Sequence, residues 1–386
     1  MEISDSIKYV GVSDKKHIMF ESQFDCPKGM SYNSYVILDE KIAVLDSVDA
    51  DFGDEWIANL KEVLKDRKPD YLVVHHMEMD HSSNIMKFIE CYPEAKIVAS
   101  KVAFTMMKNM FFTDFPEKQV VVGEGSKLEL GKHCLNFITA QNVHWPEVIM
   151  GYESSEKVMF TADGFGKFGA IEEGSNEEWK DEARRYYFAI VGKFGQFVQA
   201  VLKKLPAFEI KKICSLHGPV LDSNIGEYVK SYDIWSSYAP EEDGVFIAYT
   251  SVYRNTKKAA ELLAKILHEK GCKNVVIADL AREDTAQAIA NAFRYSKLVL
   301  ASTTYCNGVF PKMREFIEHL AHRNFQKRMV AFVENGTWAP SAAKTMTTLL
   351  EPCKDLSILP EKVTIKITMT EENKKQLENL ATQLLA

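Results

Sequence analysis

The sequence predicts two α/β domains in series, a layered domain with mixed sheets followed by a doubly wound parallel sheet. Three observations point there. Closely spaced strand pairs with helices between them fill the first part, the apolar periodicity breaks at Ser236–Asp243, and alternating strands and helices follow. The expected boundaries are residues 1–240 and 243–386.

At 386 residues the chain is too long for one ordinary core and comfortable for two. In the first domain, Tyr35–Leu38 and Ile42–Leu45 read as paired strands, and Glu55–Leu64 and Val102–Met110 as helices. The stretch SSYAPEED, with its proline and clustered acids, reads as a linker. Beyond it come the apolar runs Val245–Thr250, Val275–Ala278, Leu298–Ser302, Val330–Val333 and Val363–Thr368. They alternate with the amphipathic stretches Lys257–Lys270, Thr285–Tyr295, Lys312–Ala321, Ala342–Leu350 and Glu371–Leu385. Continuous apolar strands between helices mean a parallel sheet buried on both faces.

Composition excludes several function classes. Hydrophobic residues at 46% and charged residues at 26% are ordinary for a globular protein. A net charge of −7 with no basic run leaves no electrostatic footprint for nucleic acid. No apolar stretch is long enough to cross a bilayer, and MEISDSIKYVGVSDKK lacks a signal-peptide pattern, so the cytoplasm is expected. The seven cysteines are scattered without a C-x-x-C pair, which argues against a disulfide framework or a cysteine-ligated metal module. Metal ligands, if present, must be histidines and carboxylates.

Such residues converge in YLVVHHMEMDHSSN, Tyr71–Asn84. An apolar strand runs into His76, Glu78 and Asp80, which alternation places on one side, with His81 adjoining once the chain turns. A polar loop after a strand is common, but four ligand-type residues within six exceed what solvation requires. Three later strand-like runs each end in one more: His144 in VHWP, Asp163 in TADG and His217 in LHGP. His75 alternates to the opposite side from His76 and reads as structural or supporting.

The series H-x-E-x-D-H, H-W-P, A-D-G-F-G and L-H-G-P resembles the metallo-β-lactamase fold in its flavodiiron version, an αββα domain. Hydrolytic relatives carry histidine where Glu78 stands. A carboxylate there makes the site harder and more anionic, which suits iron. The resemblance implies His76, Glu78 and His144 on one iron, Asp80, His81 and His217 on the other, and Asp163 as the bridge. It extends to GMSYNSY, Gly29–Tyr35, as opening strands, and to Arg185-Tyr186-Tyr187 as a helix start near the metals. The two tyrosines there are candidates for a hydrogen bond to bound oxygen or for packing.

The second domain carries a flavin-type pattern. After the first strand, Ser251-Val252-Tyr253-Arg254-Asn255-Thr256 opens a helix and offers hydroxyls, an amide and backbone N–H groups to an anion. With no G-x-G-x-x-G or G-K-[ST] pattern, a monophosphate fits better than a dinucleotide or nucleotide triphosphate. Flavodoxins use a similar (S/T)-x-x-x-N-T loop for the phosphate of FMN. Arg254 stands where glycine is frequent, either adding charge or demanding a backbone conformation other than left-handed. Two further loops follow strands: Thr303-Thr304-Tyr305-Cys306-Asn307-Gly308 and Glu334-Asn335-Gly336-Thr337-Trp338-Ala339. From these, Thr303–Gly308, Glu334, Asn335, Gly336 and Trp338 are the expected contacts to FMN, Trp338 by stacking.

Together the resemblances imply a flavodiiron reductase that passes electrons through FMN to two irons and reduces O2 to water, NO to N2O, or both. They also imply a head-to-tail homodimer or homotetramer. With no C-x-x-C pair for a fused rubredoxin, a separate electron donor such as rubredoxin is expected. One rival reading is a dinuclear zinc hydrolase with an appended flavodoxin domain, which Glu78 disfavours. The other is a flavin carrier with an inert scaffold, which the full ligand set disfavours.

Overall fold

The computed structural model describes residues 3–171 and 179–386. The chain divides into two compact units, one formed by Met1–Tyr187 and Gln196–Asp233, the other by Phe188–Gly195 and Ile234–Ala386.

The first unit contains two facing sheets. The six-stranded sheet runs in the order Ile7–Tyr9, Tyr35–Ile37, Ala43–Leu45, Tyr71–Val73, Lys96–Ser100, Gln119–Val122. Its first three strands pair antiparallel and the rest parallel. The five-stranded sheet runs Lys127–Glu129, Cys134–Thr139, Ile149–Glu153, Val158–Phe160, Lys212–Cys214, antiparallel except for its last pair. Between them lies a core that draws on both: Ile37, Leu45, Val73 and Val98 from one, Leu135, Phe137, Ile149 and Phe160 from the other. Helix Gly53–Leu64 buries Trp56, Ile57, Leu60 and Leu64, the one-sided spacing of a helix laid on a sheet. The indole N–H of Trp56 donates to Ser34 Oγ at 2.9 Å, so its burial leaves no polar atom stranded.

The second unit holds five parallel strands in the order Val275–Asp279, Glu242–Tyr249, Tyr295–Tyr305, Met329–Asn335, Ser357–Ile365. This is the doubly wound, flavodoxin-like arrangement, whose ligand site falls at the carboxyl ends of the strands. The strand Tyr295–Tyr305 outruns its expected length and turns back on Gly308–Val309. Cys306 and Asn307, with φ of 47° and 59°, give that hairpin two consecutive left-handed residues, as a tight two-residue turn requires.

The segment Ser236–Asp243, read as a linker from its composition, is tied into this unit, and its last two residues open the strand Glu242–Tyr249. Trp235 and Tyr238 are buried, Trp235 Nε1 donates to Glu241 Oε2 at 2.9 Å, and Tyr238 Oη donates to Gly192 O at 2.8 Å. Segment Phe188–Gly195 joins this unit because Phe188 stacks on Phe293 with centroids 4.2 Å apart, and the Arg323 guanidinium donates to Phe188 O and Ala189 O. Spacing along the chain gives no sign of either contact. No helix among the described residues is long and apolar enough to cross a membrane.

Candidate metal centre and flavin cleft

Strand ends of both sheets deliver the ligand-type residues of the first unit. His76 lies just past Tyr71–Val73, Glu78 caps the short helix Met79–Ser82, and Asp80 and His81 ride on it. His144 sits between Cys134–Thr139 and Ile149–Glu153, Asp163 follows Val158–Phe160, and His217 follows Lys212–Cys214. Two groups result, His76, Glu78, His144 and Asp163, and Asp80, His81 and His217, with the donor atoms inside each group within 4.8 Å of one another.

The distances fit metal coordination. Glu78 Oε2 lies 3.2 Å from His76 Nε2 and 3.0 Å from His144 Nε2. Asp80 Oδ2 lies 3.1 Å from His81 Nε2 and 3.4 Å from His217 Nε2, and the two imidazole nitrogens are 3.1 Å apart. Asp163 joins the groups: its Oδ2 is 3.0 Å from His144 Nε2 and 3.5 Å from His76 Nε2, while its Oδ1 is 3.4 Å from His81 Nε2 and 3.6 Å from His217 Nε2. Separations near 3 Å are the edges expected of donors that share an ion at about 2.1 Å. Asp163 Oδ1 and both oxygens of Asp80 are buried without a hydrogen-bond partner among the described residues, and a cation at the centre would satisfy them.

Electrostatics point the same way. Burial works against charge on His81, yet Asp80 and Asp163 outweigh it and raise its pKa to about 10. Burial likewise opposes His144, and Asp163 and Glu78 raise it to about 9. Burial would push Asp163 up, but His76, His144 and His81 hold it well below the ordinary carboxylate value. The carboxylates thus favour the charged form of His76, His81 and His144, and metal ions at the centre would take over that positive charge.

Supporting residues fix the ligands. Glu147, buried, accepts from His76 Nδ1 at 2.7 Å and from the Met77 N–H at 2.8 Å through the same Oε1. It presents Nε2 of His76 to the centre. The residue stands directly after H-W-P, and a carboxylate so close to a metal histidine was the available signal. Glu147→Ala is expected to weaken metal binding by about 10- to 100-fold, read by chelator competition. His217 is oriented by Nδ1–H donation to Ser31 O at 2.7 Å, and its loop is tied down by Asn33 Nδ2, which donates to Ser215 O and Gly218 O, both at 2.8 Å. The opening strands therefore hold a ligand loop from the far end of the unit.

His75 belongs to neither group. Its backbone N–H and Nδ1 engage the Asp46 carboxylate at 2.7 and 2.6 Å, and its ring stacks on Phe160 between the sheets. Arg185-Tyr186-Tyr187 lies at a helix end rather than a start, because Trp179–Tyr186 terminates there in a π-helical turn. Tyr186 packs 5.4 Å from the His217 ring with its hydroxyl buried and unpartnered among the described residues. A cleft of about 410 Å3 lined by His17, Met19, Phe20, Tyr32, Glu78 and Asp80 opens onto this site.

In the second unit a cleft of about 360 Å3 is lined by Ser251, Val252, Tyr253, Asn255 and Thr256, by Thr303–Asn307, and by Asn335–Ala339 with Ile367. Ser251 Oγ is buried without a partner among the described residues, in the loop leading to helix Asn255–Glu269, which suits an anion. Tyr253 and Trp338, each 85% exposed, stand as free aromatic faces on the walls. A flat aromatic ring with a phosphate tail fits this donor set. Three expected contacts lie outside the lining: Arg254, Gly308 and Glu334. Arg254 does adopt the left-handed conformation, with φ of 68°, so the conformation a glycine favours is kept. Thr337, Ala339 and Ile367 join the lining instead.

An αββα unit with two carboxylate-bridged ligand groups, joined to a flavodoxin-like unit with an open cleft, defines a metal and flavin protein of the metallo-β-lactamase-like class. A family model described as ODP family beta lactamase matches residues 30–218. The chain is 29% identical over 361 residues to a nitric oxide reductase of Moorella thermoacetica, covering 91% of this chain and 90% of that one. It is 27% identical over 348 residues to the anaerobic nitric oxide reductase flavorubredoxin of Vibrio vulnificus, covering 88% and 70%. Among solved structures, the rubredoxin oxygen:oxidoreductase of Desulfovibrio gigas superposes with a TM-score of 0.92 at 24% identity, over 100% of this chain and 97% of that one. The flavodiiron protein of Giardia intestinalis gives 0.92 at 24% identity, over 99% and 95%. The chain belongs to the flavodiiron protein family, oxidoreductases that carry FMN and a non-haem di-iron centre.

Proposed function

We propose that this protein reduces dioxygen to water, nitric oxide to nitrous oxide, or both, at a di-iron centre supplied with electrons through FMN. His76, Glu78 and His144 would hold one iron, Asp80, His81 and His217 the other, and Asp163 would bridge them. The observation that carries this reading is the split of Asp163, one oxygen toward each ligand group. When bound, FMN relays electrons singly or in pairs, and the irons provide redox-active positions open to a diatomic gas.

The chain's own groups do the rest. Glu147 and Ser31 O fix which imidazole nitrogen faces the centre. The cleft of the first unit gives a small gas access, with Phe20 on its wall 5.6 Å from the His217 ring. Tyr186 keeps a buried hydroxyl, unpartnered among the described residues, beside the His217 ring, where it would be available to donate to a bound gas. By the same family reading the protein acts in the cytoplasm as a head-to-tail dimer or tetramer, with electrons from a rubredoxin or similar carrier.

The test is metal and flavin analysis of anaerobically purified protein, followed by turnover with O2 and with NO from one electron donor. Two irons and one FMN per chain with gas-dependent oxidation are expected. Zinc without iron would overturn the reading, and so would a reduced protein that neither gas reoxidises.

A further inference from the structure

Glu334 was expected to touch the flavin, and the structure turns it elsewhere. It is 1% exposed. Its Oε2 accepts from the Ala343 N–H at 2.9 Å, and its Oε1 accepts from Thr364 Oγ1 at 2.9 Å and pairs with Lys362 Nζ at 2.8 Å. One carboxylate thus joins the start of helix Ala342–Leu350 to the edge strand Ser357–Ile365. The next residue works the other way along the strand. Asn335 Oδ1 accepts from the Ile367 N–H and its Nδ2 donates to Ile367 O, both at 3.0 Å.

A second staple closes the far end of the same loop. Thr304 Oγ1 accepts from the N–H groups of Ser341 and Ala342 at 2.9 and 3.2 Å. The first N–H groups of a helix normally await an external acceptor. Here Thr304 and Glu334 take three of them, so this helix start has little left for a ligand phosphate. Neither N-cap residue, Ser341 here or Arg254 at helix Asn255–Glu269, makes a side-chain capping bond, so the acceptors at this helix start come from elsewhere in the fold. Between the two staples the segment 335–339 forms a wall of the cleft, with the exposed Trp338 at its crown.

We propose that Glu334 is a positioning residue for the flavin. It locks the helix start to the edge strand and so holds the wall carrying Asn335, Gly336 and Trp338 in its flavin-ready shape, without touching the flavin. The proposal rests on the reading that FMN fills this cleft. A wall held in place before binding loses less freedom when the ligand arrives. Releasing it should therefore weaken FMN binding and loosen the ring's surroundings, even where the fold survives.

The full-length chain, stripped of flavin, is titrated with FMN by fluorescence quenching, and circular dichroism is recorded in the flavin bands. Glu334→Ala is expected to raise the Kd for FMN about ten-fold and to change the flavin dichroism. Glu334→Gln keeps an acceptor for Ala343 and a partner for Thr364, and is expected to stay within about two-fold of the wild type. An unchanged Kd and unchanged flavin dichroism in Glu334→Ala would overturn the proposal, whatever happens to its melting temperature. Should that variant not fold, Thr364→Val removes one arm of the staple with an isosteric, strand-compatible side chain. A rise of about three-fold in Kd supports the proposal and an unchanged Kd overturns it. Failure of the wild-type chain to bind FMN would instead overturn the flavin reading on which the proposal stands.

Discussion

Asp163→Asn is expected to abolish gas reduction and to leave the protein with less than half its metal. Among the described residues the aspartate is the one whose two oxygens face both ligand groups, it is 1% exposed, and neighbouring imidazoles hold it well below the ordinary carboxylate pKa against the effect of burial. An amide keeps the shape but removes the charge and replaces one oxygen with a donor. That donor would face imidazole nitrogens 3.0 to 3.6 Å away, in a space shared with Glu78 and Asp80. Losing an outer partner of a metal ligand costs about 10- to 100-fold in affinity, and losing the shared ligand should exceed that range. Metal analysis of the variant beside the wild type gives the answer, with flavin content as the internal control. The cleft of the second unit does not include Asp163, so FMN binding should be intact. A variant with two tightly held irons and normal turnover would sink the bridging role.

Arg328→Met is expected to destabilise the second unit by about 3 kcal/mol or more. Arg328 is 2% exposed, and its guanidinium donates to the carbonyls of Tyr238, Gln326, Lys327 and Phe293. Gln326 and Lys327 are accessible enough to recover water, whereas Phe293 and Tyr238 are buried and their carbonyls are left without this donor. Each buried carbonyl left unsatisfied costs about 1–3 kcal/mol. Methionine restores most of the volume, so the loss reports hydrogen bonding rather than a cavity. Chemical denaturation followed by flavin dichroism measures it. A change below about 1 kcal/mol would show that water replaces the guanidinium without penalty.

Neither Arg328 nor Glu334 announces its task in the sequence. Arg328 precedes an apolar run, as many surface arginines do, and two of its four acceptors, in Phe293 and Tyr238, lie 35 and 90 residues away. Glu334 stands in a stretch that read as a ligand-contacting loop, but it lies at the end of the strand Met329–Asn335, and its carboxylate is taken up by helix Ala342–Leu350 and the edge strand. The lesson is the same for Glu147. A carboxylate three residues past His144 could have been ligand, support or surface, and its bond to His76 across 71 positions decides among them.

The sequence by itself determined the order of elements and the candidate ligand set. A short continuous apolar run marks a strand buried on both faces and a spacing of three to four marks a helix, so Val245–Thr250 or Glu371–Leu385 can be read without neighbours. The clustering of His76, Glu78, Asp80 and His81 is likewise local, because six residues at a strand end cannot separate far. Tertiary structure alone decided which of those residues meet. Two facing sheets bring His144, Asp163 and His217 to the same edge and send His75 between the sheets toward Asp46 and Phe160. It also decided that the segment Ser236–Asp243 packs through Tyr238 rather than spanning freely, and that Arg254 accepts a left-handed backbone. Such outcomes depend on which distant surfaces compete for one side chain, and a linear pattern holds no record of that competition.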